Sequence, residues 1–385
     1  MWARARRPCR ARSWQTGRIS CFQVSGISAR VFRPRVLFAS YRACALLEQT
    51  FAREVCVRVA KEHTKDDAQG LSRPPPGEGA ADPDADEAIE HALHAEDFER
   101  AAQLLEEHLD ASWGRGEHGK LRRWLDRLPE EMLSSRPHLS ICQARYQCLG
   151  GQLEEAERTL KTAEQALDSS PEVLGPEELG LNRVPETELP TQISLTPPEE
   201  MKLRGRAAAT RALLSSYQGD VPGIVQHARQ ALEYLPSEDL TWRSVTALIL
   251  GNAHGFKGDM TAAYQARLEA LKACEAAGDI YFVMIANLKL AITLRAQGRL
   301  QPTIQICRQQ MQLAKVEGIS QSSAVGWCLA VWGEVLAEID DLDGALRQAQ
   351  KGIELVERGI DLAMIGWSNI CLVRVLFSRQ EFAEI

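Results

Sequence analysis

The sequence predicts an all-α protein, a right-handed superhelical solenoid of paired helices that repeat about every 40 residues. A short turn phrase carries the prediction: Gln218-Gly219-Asp220-Val221 returns as Lys257-Gly258-Asp259-Met260, Gln297-Gly298-Arg299-Leu300, Ile339-Asp340-Asp341-Leu342 and Arg379-Gln380-Glu381-Phe382. The intervals between the Gly-equivalent positions are 39, 40, 42 and 40 residues. The second observation is a recurrence of small residues. Seven positions before the turn stand Ala212, Gly251, Ala291 and Gly333, and five after it stand Ala101, Ala156, Ala263 and Ala345. Small side chains at both points let the two helices of a unit approach closely. Within the phrase, Gly suits the left-handed end of the first helix and Asp caps the next.

The elements follow in chain order. Residues 1–60 hold twelve Arg, no Lys and only Glu48 and Glu54 as acids. That composition matches an organellar transit peptide or an upstream extension outside the folded array, and we take the second reading. Phe51 to Val59 suits a short helix. Residues 61–86 read as a linker, with Pro74-Pro75-Pro76-Gly77 followed by small and acidic residues. The array is expected over 87–385, opening with two degenerate phrases, Glu96-Asp97-Phe98 and Gly151-Gln152-Leu153. From Gly151 to Gly219 the interval is 68 residues, and the Pro- and Glu-rich stretch 168–198 is read as a surface loop inserted between repeats. Pro222 and Pro302 fall in first turns, where a missing N–H costs little. Val373, Ile224 and Thr303 break the small-residue pattern. The sequence ends three residues after the last phrase, so the final repeat is read as truncated.

Composition narrows the function classes. Net charge is −7, and beyond residue 60 the chain carries 33 basic against 50 acidic residues. So acidic an array is a poor ligand for nucleic-acid phosphates. No uncharged apolar run reaches the ~18 residues of a membrane span; Ile280 to Leu294 comes closest and contains Asn287 and Lys289. The ten Cys include no C-x-x-C pair and read as buried thiols in a reducing compartment. We expect a cytoplasmic protein without membrane contact.

Three motifs invite chemistry and are set aside. Gly114-Arg115-Gly116-Glu117-His118-Gly119-Lys120 fits G-x-x-x-x-G-K, but Leu121 replaces the Mg²⁺-binding hydroxyl and a helix, not a strand, precedes it. His91 and His94 lie one helical turn apart, without a His or Cys cluster to close a metal site. Cys-based catalysis needs a positioned His, and only His227 and His254 follow His138. No catalytic residue, metal site or cofactor is therefore assigned, and the chain is not read as an enzyme.

The stretch Ala88-Ile89-Glu90-His91-Ala92-Leu93-His94-Ala95-Glu96-Asp97-Phe98-Glu99-Arg100-Ala101-Ala102, with Leu121-Arg122-Arg123-Trp124-Leu125-Asp126-Arg127-Leu128-Pro129 and Arg136-Pro137-His138-Leu139, carries a resemblance. Residues 87–385 resemble the TPR-like sensor region of MalT-type (large LuxR-family) bacterial transcription regulators. Complete members place a nucleotide-binding ATPase and a winged helix upstream and a helix-turn-helix downstream; neither is visible in this sequence. The resemblance implies an inducer- or partner-sensing superhelix of a transcription regulator, without those effector domains. A free-standing protein-interaction scaffold is the alternative.

A binding face follows from the repeat. Residues 13, 9 and 6 before each turn share one face of the first helix, which a superhelix turns inward. That face carries Arg206, Asn252, Lys289, Trp327 with Glu334, and Trp367 with Arg374. Trp327 and Trp367 fill the same slot in successive repeats. Aromatic platforms with polar groups of mixed charge suit a small polar ligand or a protein segment in a concave groove between Arg206 and Arg374. The competing reading makes both Trp inter-repeat packing residues. Direct DNA binding is not expected, since no recognition helix or basic patch is present.

Overall fold

In the computed structural model, residues 83–168 and 196–380 are described, and among them every regular element is a helix. The Arg-rich segment, most of the linker, residues 169–195 of the stretch read as an inserted loop and Glu381-Phe382 of the last phrase lie outside those residues. Fifteen helices run in order: α1 (Pro83–His94), α2 (Phe98–Gly114), α3 (His118–Leu125), α4 (Glu130–Ser135), α5 (Pro137–Leu149) and α6 (Leu153–Asp168). Beyond the inserted segment come α7 (Pro197–Gln218), α8 (Val221–Tyr234), α9 (Leu240–Phe256), α10 (Met260–Ala277) and α11 (Ile280–Ala296). The last are α12 (Leu300–Val316), α13 (Ser323–Glu338), α14 (Leu342–Val356) and α15 (Leu362–Arg379). Two expected boundaries move. Residues 83–86, inside the stretch read as linker, already belong to α1. Asp168 ends α6 while Pro197 and Pro198 open α7, so these ends of the stretch read as a loop are helical.

Every described turn phrase joins the two helices of one unit, as predicted. Gly219 has φ +73°, and the same left-handed backbone recurs at Asp340 (φ +70°), where the sequence offers no glycine. The Asp that follows caps the second helix: the carboxylates of Asp97, Asp220, Asp259 and Asp341 accept the N–H of Arg100, Gly223, Ala262 and Gly344. Each such bond satisfies one of the otherwise orphaned N–H groups of a helix start. Asp259→Ala is expected to cost about 1 kcal/mol. Urea midpoints check this, and an unchanged midpoint would mean that the cap is redundant.

The small residues behave as a packing code. Ala101, Ala156, Ala212, Ala263, Ala291 and Ala345 are all fully buried. A Cβ on Gly333 would come within 2.7 Å of the Ala345 carbonyl oxygen. Thr303, a departure from the pattern, is buried too, and its Oγ1 donates to the Arg299 carbonyl at 2.9 Å. A hydroxyl thus replaces a methyl without leaving an unsatisfied group.

The apolar core follows the array from Ile89 in α1 to Cys371 in α15. The coil is tight enough for distant repeats to touch. Trp113 at the end of α2 stacks on Phe282 of α11 with centroids 6.1 Å apart. The Tyr217 hydroxyl on α7 donates to Asp361, the cap of α15, at 2.7 Å. These contacts bridge residues far apart in the chain, which one 40-residue period does not encode.

Candidate functional site

Four successive first helices are joined by one polar file. Asn252 on α9 donates through Nδ2 to the Ser216 hydroxyl on α7 at 3.2 Å. Its Oδ1 accepts from Lys289 Nζ on α11 at 3.0 Å. The same ammonium lies 5.5 Å from the ring centroid of Trp327 on α13. Lys289 has no ion-pair partner among the described residues. Burial, reinforced by the neighbouring Arg267 charge, pulls its pKa down to about 8. Asn252, Lys289 and Trp327 are thus brought together as the spacing predicted.

Glu334 and Arg374 belong to a second, ionic file. The buried Glu334 carboxylate holds Arg295 of α11 at 2.6 Å and Arg374 of α15, and accepts the Cys371 thiol at 3.3 Å. Burial raises the pKa of this carboxyl, but Arg295 and Arg374 overcome that and hold it below its ordinary value. Its stabilising pairing is therefore present above the unfolded-state pKa of about 4.3 and is lost as pH falls through the lower folded value. Glu334→Gln is expected to cost about 3 kcal/mol at neutral pH, because two guanidinium groups then face a neutral amide. It should also flatten the fall in stability below about pH 4. Denaturation series at both pH values check this; parallel wild-type and variant pH curves would show that the ionic file contributes nothing.

Arg206 lies at the far end, away from both files. Its buried guanidinium binds Asp110 at 2.6 Å, Asp239 at 3.1 Å and His138 Nε2 at 2.8 Å. Burial and the Arg206 charge lower the His138 pKa to about 4, so the ring is neutral and its Nε2 can accept. A cavity of 360 Å³ adjoins this cluster, lined by Asp110, Lys202, Arg206 and Asp239 among others.

The two tryptophans part ways. Trp327 is 6% exposed and belongs to the core, so it takes the packing role that the sequence left as the competing reading. Trp367 is only half-buried at the edge of that core. Both indole N–H groups lack a hydrogen-bond partner. Sequence reasoning missed Ser216, Tyr217, Arg295 and Asp361. Ser216 and Arg295 each lie three residues before the Gly of a turn phrase, a position that the spacing argument did not include. The pairing of Tyr217 with Asp361 has no local signal.

The motifs set aside take structural places. Lys120 of the G-x-x-x-x-G-K stretch, in the first turn of α3, is held by Asp86 at 2.7 Å and Glu117 at 2.8 Å. His91 and His94 pair with Glu87 and Glu90 on their own helix. Cys142, Cys148, Cys274, Cys307, Cys328 and Cys371 are free and buried. Burial pushes the first three up to about 12, so those thiols stay protonated at neutral pH. By length and hydropathy one described helix, α15, is apolar enough to cross a membrane, and half of it is buried in the array. The sequence had pointed instead to Ile280–Leu294.

Comparison with known proteins bears on the same stretch. The MalT-like TPR region is the family that matches, over residues 205–384. The transcriptional regulator MalT of Yersinia pestis (strain Pestoides F) is 24% identical over 270 residues, covering 70% of this chain and 27% of the regulator. MalT of Yersinia enterocolitica is 25% identical over the same length and the same shares. The chain thus spans about a quarter of the length of the curated relatives it matches. Among solved structures, a signal-transduction ATPase with a tetratricopeptide-repeat sensor from Pyrococcus horikoshii superposes with a TM-score of 0.53 at 13% identity. That match covers 85% of this chain and 42% of the ATPase, a likeness of fold alone. The turn phrases, the buried small residues and these matches point the same way: residues 205–384 are similar to the MalT-like TPR region.

Proposed function

We propose that this chain is the ligand- or partner-sensing helical-repeat region of a transcription regulator, working by binding rather than by catalysis. The relatives supporting this reading are transcriptional regulators. The observation that carries it is Lys289. A half-buried ammonium without a carboxylate partner is costly, and a packing role would be filled at lower cost by an apolar side chain. Here the charge is retained on the inward face, between the Asn252 amide and the Trp327 ring. Its two unused N–H donors and the Trp367 indole N–H suit the acceptor oxygens of a neutral polar ligand or of a peptide backbone. In this reading the ligand or protein segment lies along the inner face between Arg206 and Arg374. The regulator works in the cytoplasm, and this region contacts neither DNA nor membrane itself.

Tryptophan fluorescence of the full chain, titrated with neutral oligosaccharides and with amphipathic peptides, tests the proposal. A saturable change is expected from one class, weakened at least about tenfold by Asn252→Ala or Lys289→Met, each of which removes one charge-assisted hydrogen bond. Equal affinity in both variants would remove the inner face from consideration. Response to peptides alone would favour a partner-binding scaffold over a small-molecule sensor.

A further inference from the structure

Away from the inner-face file, α2, α3 and α5 meet α9 and α11 around a cation without a counter-ion. The Arg145 guanidinium lies 3.8 Å from the centroid of Trp113 and 4.6 Å from that of Trp242. Arg145 is 4% exposed, and among the described residues no carboxylate pairs with it. Asp110, whose field it feels, is already held by Arg206 and by the Trp242 indole N–H. Burial lowers the Arg145 pKa to about 10, so the side chain remains a cation at neutral pH.

Four buried polar atoms in this cluster lack a hydrogen-bond partner: Arg145 Nε, Trp113 Nε1, His118 Nδ1 and the Tyr146 hydroxyl. Their rings are neighbours, with Trp113 4.6 Å from His118 and 5.2 Å from Tyr146. The inventory is unbalanced. Arg and Trp only donate, and Tyr146 is a neutral phenol because burial raises its pKa well above the ordinary value. Burial, with the Arg145 charge, lowers the His118 pKa to about 3, leaving a neutral ring that donates from Nδ1 in one tautomer. Unpartnered buried donors are costly and an unpaired buried charge more so, and four orphans that can all donate around one cation call for an acceptor that carries negative charge.

We propose that this cluster is a binding site for a single small oxyanion, a carboxylate or phosphate group, held by the Arg145 guanidinium between Trp113 and Trp242 with the Tyr146 hydroxyl and Trp113 indole N–H as further donors. The ligand's charge replaces the missing counter-ion. Because α2 and α11 meet here through Trp113 and Phe282, occupancy fastens the start of the array to its middle.

The experiment is thermal unfolding of the full chain in sodium phosphate, in sodium acetate and in sodium chloride at equal ionic strength, followed by tryptophan fluorescence. A saturable rise in midpoint of several degrees with phosphate or acetate over chloride is expected in the wild type and absent in Arg145→Met. A rise with phosphate alone assigns a phosphate group, and one with acetate assigns a carboxylate. Tyr146→Phe, which deletes one hydroxyl, should weaken the anion about tenfold and provides the comparison if Arg145→Met does not fold. No anion-specific rise in the wild type, or the same rise in either variant, overturns the proposal and leaves ordered water as the filler of the cluster.

Discussion

Gly326→Leu is expected to cost more than about 4 kcal/mol and to release the last helices from the array, because α13 and α14 touch backbone to backbone. A Cβ on Gly326 would fall 2.5 Å from the Val356 nitrogen and 2.7 Å from the Gly352 carbonyl oxygen. Gly352 is equally constrained from the other side, with a Cβ there 2.7 Å from the Ala330 nitrogen. Together with Gly333, Ala345 and Ala349 these residues form a seam at i, i+4, i+7 spacing on both helices, so no flexible side chain is available to yield. Even Gly326→Ala should cost about 2 kcal/mol. Stacking in a solenoid is mainly between neighbouring units, so apart from the Tyr217–Asp361 bond the loss should be local. Hydrogen exchange should show α14 and α15 opening while α7 to α10 stay protected. Uniform protection in the leucine variant would show that the seam can spread. Gly219 is the contrast: a Cβ there meets nothing within 4 Å, and alanine costs only the ~1 kcal/mol of a left-handed backbone.

The repeat was legible because its chemistry is local. The left-handed turn, the Asp cap and the facing small residues each act within about a dozen residues, so the described turn phrases locate helix pairs from α1–α2 to α13–α14. The start of α7 was legible as well but went unread. Thr196-Pro197-Pro198-Glu199 is a capping-box sequence with proline in the first turn, and the structure forms that box. The binding face was legible only in part. Spacing placed Asn252, Lys289 and Trp327 on one face and they do meet, through a file that depends on neighbouring repeats alone. It did not reveal that Glu334 would be consumed by ion pairs with both Arg374 and Arg295, since Arg295 lies off the register considered. Nor did it reveal that the coil would close Trp113 onto Phe282 and Tyr217 onto Asp361. Those contacts depend on pitch, the sum of small rotations over several repeats, and no single phrase records that sum.

The slot shared by Trp327 and Trp367 separates packing from binding. Trp327→Ala is expected to lose about 3–5 kcal/mol, the cost of emptying a buried aromatic site. Trp367→Ala should lose less than half of that, because its ring is only half-buried. The distinction matters because both positions project from the same turn of successive helices, α13 and α15, and the sequence treats them alike. Trp327 has α11 and Lys289 on one side and the α13–α14 seam beside it, so its removal opens a cavity that backbone contacts prevent from collapsing. Trp367 lies at the edge of the core and can be lost without such a cavity. Urea denaturation of each variant measures the difference. Fluorescence titration of the folded Trp367→Ala chain then shows whether its indole contributes to binding. Equal losses for the two variants would place both rings in the core and remove the aromatic platform from the inner face. A large loss at Trp327 with weakened binding at Trp367 would mean that one repeated residue stabilises the array in one unit and meets the ligand in the next.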